Sequence, residues 1–147
     1  MIIRQISVFV ENRPGTLAEV LAVLKEHGVN MRALSVADTS DFGILRLIVN
    51  EPEKVERVLR GAKFAVKTTE VLAITVEDHP GSLLGQIEKL SSAGISVEYM
   101  YAFAAAPEQE ARVVLKVDDL TRAERLICGE EGCSTPYEPS EAPGFYW

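Results

Sequence analysis

The chain has 147 residues, of which 47% are apolar and 25% charged, a composition of folded globular proteins rather than of disordered or fibrous ones. Fifteen basic against 22 acidic residues leave a net charge of −7, and no run of Lys or Arg gathers the basic side chains, so nucleic acid and anionic membrane surfaces are excluded as first partners. No apolar run approaches the roughly 20 residues of a membrane helix, and Met1-Ile2-Ile3-Arg4-Gln5 lacks the order of a signal peptide, so a cytoplasmic protein is expected.

Along the first half, Ile6, Val8 and Val10 alternate with Gln5, Ser7 and Phe9, which predicts a strand with the first set inward. After Pro14-Gly15 the period changes, and Leu17, Val20, Leu21 and Leu24 form the apolar face of a helix that Gly28 ends. Residues 29–36 and 44–49 are rich in aliphatic side chains and read as a hairpin, with residues 38–43 as its turn. Pro52 opens a second helix carrying Val55, Val58 and Leu59, Gly61 ends it, and residues 64–69 predict a fourth strand.

The same order then recurs. Leu72, Ile74 and Val76 mark a strand, Leu83, Ile87 and Leu90 a helix face, residues 95–103 and 111–117 a hairpin, and Leu120, Ala123, Leu126 and Ile127 a last helix. Pro14/Pro80, Gly15/Gly81, Leu17/Leu83 and Gly28/Gly94 are each 66 positions apart, and residues 45–49 align with 113–117 at an offset of 68, a two-residue insertion. The chain is therefore one βαββαβ unit written twice, an α+β fold of two antiparallel sheets, each with its helices on one face, expected over residues 1–69 and 70–137. The second unit's last strand is doubtful, because Pro136 suits only an edge or a strand end, and residues 138–147 read as a tail. Residues 65–75 contain no Gly or Pro, so the units should follow one another without a flexible tether and pack side by side.

The boundary from first strand to first helix is "ENRPGTL" at residues 11–17 and "EDHPGSL" at residues 77–83. A tight Pro-Gly turn into a helix gathers unpaired backbone N–H groups at the positive end of the helix dipole, which suits a carboxylate. Asn12 and Asp78 stand where a side-chain oxygen could cap those groups, and Gly15 and Gly81 would admit close approach of a ligand. The same residues also satisfy turn chemistry with no ligand at all.

Through "ENRPGTLAEVLAVLKEHGVNMRAL" the first copy resembles the ACT domain, the regulatory module of amino-acid metabolism, and is similar in particular to the serine-sensing ACT domain of D-3-phosphoglycerate dehydrogenase. With "ALSVADTSDFGILRLIV" and "VEYMYAF", the whole chain resembles stand-alone tandem ACT proteins. The resemblance implies two ferredoxin-like units, no catalytic residues, and an amino acid or similar small carboxylate held between the first turn of one domain and the start of the second strand of its neighbour. It implies a homodimer and a possible partner enzyme. Carried over by position, the ligand-binding residues are Asn12, Arg13, Pro14, Gly15, Thr16 and Leu17 with Asn30, and in the second copy Asp78, His79, Gly81, Ser82 and Leu83 with Ser96. Val10 stands where the dehydrogenase has a histidine, so serine preference does not transfer, and Asp78 and Ser96 replace both asparagines of the second half-site.

Other chemistries are weaker. His27 belongs to a helix end, where its charge opposes the dipole, and His79 is the better functional candidate, but neither stands beside a nucleophile or a carboxylate pair. Cys128 and Cys133 lack the second pair a zinc site needs and are expected as free thiols, so neither metal nor cofactor is implied. RNA-binding modules share the βαββαβ order but stack bases on sheet aromatics, which residues 44–49 lack. Tyr99, Tyr101 and Phe103 alternate on one face and read as a packing surface or a pocket wall.

Overall fold

The computed structural model describes residues 1–38, 41–104 and 110–129. Cys133, the doubtful last strand and the Phe145-Tyr146-Trp147 end lie outside the described residues. Ten elements follow in chain order: β1 (Ile2–Glu11), α1 (Thr16–Glu26), β2 (Met31–Asp38), β3 (Phe42–Val49), α2 (Pro52–Gly61), β4 (Ala65–Glu77), α3 (Ser82–Ser92), β5 (Val97–Ala104), β6 (Glu110–Val117) and α4 (Leu120–Cys128). They divide into two compact units. One holds Arg4–Thr69, and the other runs on from Glu70 and includes Met1–Ile3. Among the described residues no helix is long and apolar enough to cross a membrane.

In the first unit the strand order is β2-β3-β1-β4, with β3 antiparallel to both its hairpin partner β2 and to β1. Ile6, Val8 and Val10 of β1 and Leu45, Leu47 and Val49 of β3 face α1 and α2, meeting Val20, Leu24, Val55 and Leu59 in one core. Ile6 sits opposite Leu47 and Val8 opposite Leu45, so the period-2 pattern of both strands reaches the same layer. Gln5 and Ser7, which alternate with the apolar set, are buried too and hydrogen-bonded (Gln5 Nε2 to Ser7 Oγ, 3.2 Å), whereas Phe9 of the same set is 40% exposed. Leu17, read as core, is 40% exposed, and Thr16 takes the buried position at the helix start.

In the second unit the order is β5-β6-β4, and the core gathers Leu72, Ile74 and Val76 with Val113, Leu115 and Val117 beneath Leu90 and Ala123. Beside β4, on the side away from β6, lie Met1–Ile3: Met1 and Ala73 exchange backbone hydrogen bonds of 3.0 and 2.9 Å, Ile2 N–H donates to Glu124 of α4, and Ile2 packs on the core. The place beside β4 is thus filled by the start of the chain. The stretch expected as two abutting strands is one continuous strand, β4, whose residues divide between the units at Thr69 and Glu70. Matched irregularities confirm the repeat at the backbone level, since β2 shifts register between Met31 and Ala33 and β5 between Val97 and Tyr99, the same positions 66 apart. Cys128, expected as a free thiol, is disulfide-bonded.

Candidate functional site

At the end of β1 the chain turns through Asn12, Arg13 and Pro14 into Gly15, which caps α1 in the left-handed region (φ +93°). The expected side-chain cap is absent: Asn12 is exposed, its N–H donates to Asp41 O, and Gly15 contributes only backbone. Thr16 instead locks the turn from inside. Only 7% exposed, its hydroxyl lies 2.8 Å from Glu11 O and 2.7 Å from Arg13 O, so it bridges the strand end to the turn. The N–H groups of Leu17 and Ala18, in the first turn of α1, have no acceptor among the described residues. Together with the dipole of an 11-residue helix they present a positive, hydrogen-bond-donating spot at the surface. A Cβ at Gly15 would meet nothing within 4 Å, so the glycine is there for its φ, and the expected need for close approach is not what the unit itself imposes.

The second turn repeats the backbone and changes the chemistry. Gly81 caps α3 at φ +92°, again without a side-chain cap, so Asp78 does not cap either. Ser82, which follows Gly81 as Thr16 follows Gly15, lies 2.9 Å from Nδ1 of His79 rather than on the backbone. The His79 ring is further held by Pro80 O (3.1 Å) and by Glu77 (Nε2 to Oε2, 2.9 Å). These two acceptors, the Pro80 carbonyl first, raise the pKa of the exposed imidazole above its ordinary 6.5. Asp78 puts a negative charge in this turn where the first copy has the neutral Asn12, which disfavours an anion at this copy.

Asn30 and Ser96 lie past the far ends of α1 and α3 from the turns, about 16 Å away for an 11-residue helix, so neither unit brings its turn and its second-strand residue together. The Asn30 side chain is nevertheless unusual, because its Oδ1 is buried without a hydrogen-bond partner among the described residues. Ser96 is satisfied by the backbone: its N–H donates to Asp118 Oδ1 (3.0 Å), and its carbonyl accepts from Asp118 N–H (3.2 Å). Leu83 is half-buried against the second core, unlike its exposed counterpart Leu17. Tyr99, Tyr101 and Phe103 are half-buried, on the face of β5 opposite to exposed Met100 and Ala102.

A cleft of about 450 Å³, not foreseen from the sequence, opens in the first unit on the side of α1 that carries Thr16 and Glu19. Phe9, Phe42 and Phe64 contribute rings to its lining, and Arg13 and Lys63 contribute cations. Among the described residues no group of His, Cys, Asp or Glu is placed to hold a metal ion.

Two ferredoxin-like α+β units, each with a glycine-capped helix start after its first strand, define the class of fold. Residues 1–132 match the family model of the ACT domain pair, and the chain belongs to that family. The crystal structure of protein BT0572 from Bacteroides thetaiotaomicron is similar at a TM-score of 0.83 and 36% identity, over 90% of each chain. A curated relative, the probable acetolactate synthase small subunit of Archaeoglobus fulgidus, is 34% identical over 73 residues, which is 48% of this chain and 46% of that protein, so the chain matches less than half of that relative. The regulatory subunit of aspartate kinase from Thermus thermophilus shares the fold, with a TM-score of 0.60 at 14% identity over 86% of this chain and 95% of that one.

Proposed function

We propose that this ACT domain pair is a non-catalytic, cytoplasmic regulatory protein that binds an amino acid or a similar small carboxylate. Its ligand is held at the first turn, completed by the start of β2 from a second copy of the chain in a homodimer. The observation that carries this reading is the pairing of two unsatisfied groups of matching chemistry in the first copy. The uncapped N–H groups at the start of α1 suit a carboxylate, and the partnerless Oδ1 of Asn30 suits an ammonium. Binding would favour one packing of the domains over another, which is all that regulation requires thermodynamically.

The test is a thermal-shift screen of the chain against the common amino acids at millimolar concentration. A ligand at about 100 times its dissociation constant adds about 2.7 kcal/mol, which for 147 residues at about 2.1 cal/mol/K per residue raises the midpoint by roughly 9 °C. Asn12→Ala should weaken binding more than Asp78→Ala, and equal losses by calorimetry would remove the preference for the first copy.

A second reading has its own support. Leu34 and Val36 of β2 and Met100 of β5 are exposed apolar side chains on the terminal strand of their units, and the Archaeoglobus relative is named as a small subunit. In that reading the chain docks on a metabolic enzyme without a small molecule, and the amino-acid screen gives no shift.

A further inference from the structure

We propose that the disulfide at Cys128 is a redox latch, which holds the Met1–Ile3 strand end in the second unit and lets it go when a dithiol reduces the bond. Cys128 is disulfide-bonded, and the chain has only one other cysteine, Cys133, to close that bond. A loop so short constrains the unfolded chain little, so the bond is a poor staple for the unit as a whole. In the cytoplasmic setting proposed above thiols are kept reduced, and a disulfide that forms there responds to the redox state. Only the supply of reductant rests on that setting.

The bond sits where the start of β1 is held. Glu124 and Cys128 are four residues apart on α4 and so share one face of the helix. Glu124 Oε1 accepts the Ile2 N–H at 3.1 Å, and Cys128 Sγ lies 4.0 Å from Met1 N. On the β4 side, Met1 exchanges backbone hydrogen bonds with Ala73. Strand ends open first, so the ties from α4 decide how firmly these residues stay. Helix ends also fray, and a disulfide on the last residue of α4 pins the turn from which Glu124 and Cys128 reach Met1 and Ile2.

The first copy shows the same position made permanent. At the offset of 68, Glu56 and Arg60 of α2 correspond to Glu124 and Cys128 of α4, and the adjoining Val55 and Ala123 are both buried. The Thr68 hydroxyl donates to Glu56 (2.5 Å) and Arg60 donates to Val66 O (3.0 Å), so the pair grips β4, which lies beside β1. In the second unit the gripped strand is Met1–Ile3. An arginine tie is replaced there by a bond that two electrons open. A thiolate of the dithiol attacks one sulfur, forming a mixed disulfide and expelling the other sulfur as thiolate. The second thiolate of the dithiol then displaces the first cysteine and closes its own disulfide, and two protons leave Cys128 and Cys133 as thiols.

The test is hydrogen exchange by NMR on the full chain, oxidised and then reduced with dithiothreitol. The Ala73 N–H, which donates to Met1 O, should exchange about tenfold or more faster after reduction. The Ile95 N–H, bonded to Leu90 O in the same unit, and the Phe64 N–H, bonded to Leu59 O in the first, should keep their rates. Cys133→Ser should show the fast Ala73 rate with or without dithiothreitol. The proposal is overturned if Ala73 exchanges equally in both states, if Cys133→Ser keeps the slow rate, or if dithiothreitol does not open the bond in the folded chain. It is equally overturned if Ile95 speeds up as much as Ala73, because the bond then holds the whole unit rather than one strand end.

Discussion

Thr16→Val tests whether the first turn is held by one hydroxyl. Valine keeps the shape and the β-branch, so packing at this 7% exposed position is preserved and only the O–H is lost. That single proton lies within reach of two carbonyls, Glu11 O at 2.8 Å and Arg13 O at 2.7 Å, each of which also accepts a backbone N–H, so its removal costs the bridge without orphaning either acceptor. The loss should cost about 1.5 kcal/mol, the upper end of the net worth of one hydrogen bond. If the whole chain melts together, about 2.1 cal/mol/K per residue over 147 residues turns this into a fall of roughly 5 °C. If the first unit of about 66 residues melts by itself, the same loss is roughly 11 °C, so calorimetry also reports the cooperativity of the fold. The matched control is Ser82→Ala, whose hydroxyl meets the exposed His79 ring and should cost less than about 0.5 kcal/mol. Equal effects of the two substitutions, or a Thr16→Val protein as stable as the parent, would refute a structural role for the Thr16 bridge.

Three further outcomes are expected. Gly15→Ala and Gly81→Ala should each destabilise by about 1–2 kcal/mol in chemical denaturation, because there is room for the methyl group and only the left-handed φ resists it. Lys63 follows α2 in the left-handed region (φ +67°), so Lys63→Gly should do the reverse and stabilise by about 1 kcal/mol, and an unchanged denaturation midpoint would mean that no strain is stored there. In an NMR titration His79 should protonate above the ordinary histidine midpoint, and Glu77→Gln should lower its value. Because the folded value is the higher one, the linked stabilisation is complete below the unfolded pKa near 6.5 and disappears as pH rises through the folded value.

The frame was legible wherever one periodicity ran long enough. Val20 and Leu24, Ile6, Val8 and Val10, and the 66-residue offset of Gly28 and Gly94 place two helices and a core strand correctly. Periodicity could not show that Gln5 and Ser7 are buried as well, because a buried, hydrogen-bonded polar pair reads as a solvent face. It assigned Leu17 to the core because the helical stripe begins at the turn, where Thr16 in fact takes the inward position. Capping was misassigned for a related reason: Asn12 and Asp78 are good capping residues, but Gly15 and Gly81 stand three positions nearer the helix and hold the cap themselves. Nothing local in Met1–Ile3 announces a partner as distant as Ala73. The cleft had a weak signal that sequence reading passed over. Leu24-x4-Val29, Leu59-x4-Phe64 and Leu90-x4-Ile95 are equivalent, and Lys63 breaks a pattern that Gly28 and Gly94 keep.

Two copies of one unit in a single chain separate what the frame needs from what one copy uses. Gly15 and Gly81 share their φ within a degree, Leu24 and Leu90 are both fully buried, and β2 and β5 carry the same register shift. These positions serve the fold, and both copies keep them. The residues with chemistry to offer differ. Asn12 becomes Asp78, which opposes a bound anion with a charge of its own, and Arg13 becomes His79, which is tied to Glu77 and Pro80. Asn30, with an orphaned oxygen, becomes Ser96, whose backbone groups are satisfied by Asp118. Phe9 and Lys63 likewise belong to the first copy alone. The exchange of Asn30 for Ser96 removes an orphaned oxygen and Asp78 adds a negative charge, so the second copy has less to offer an anionic ligand. The physical expectation is an unequal pair, in which any anionic ligand prefers the first copy.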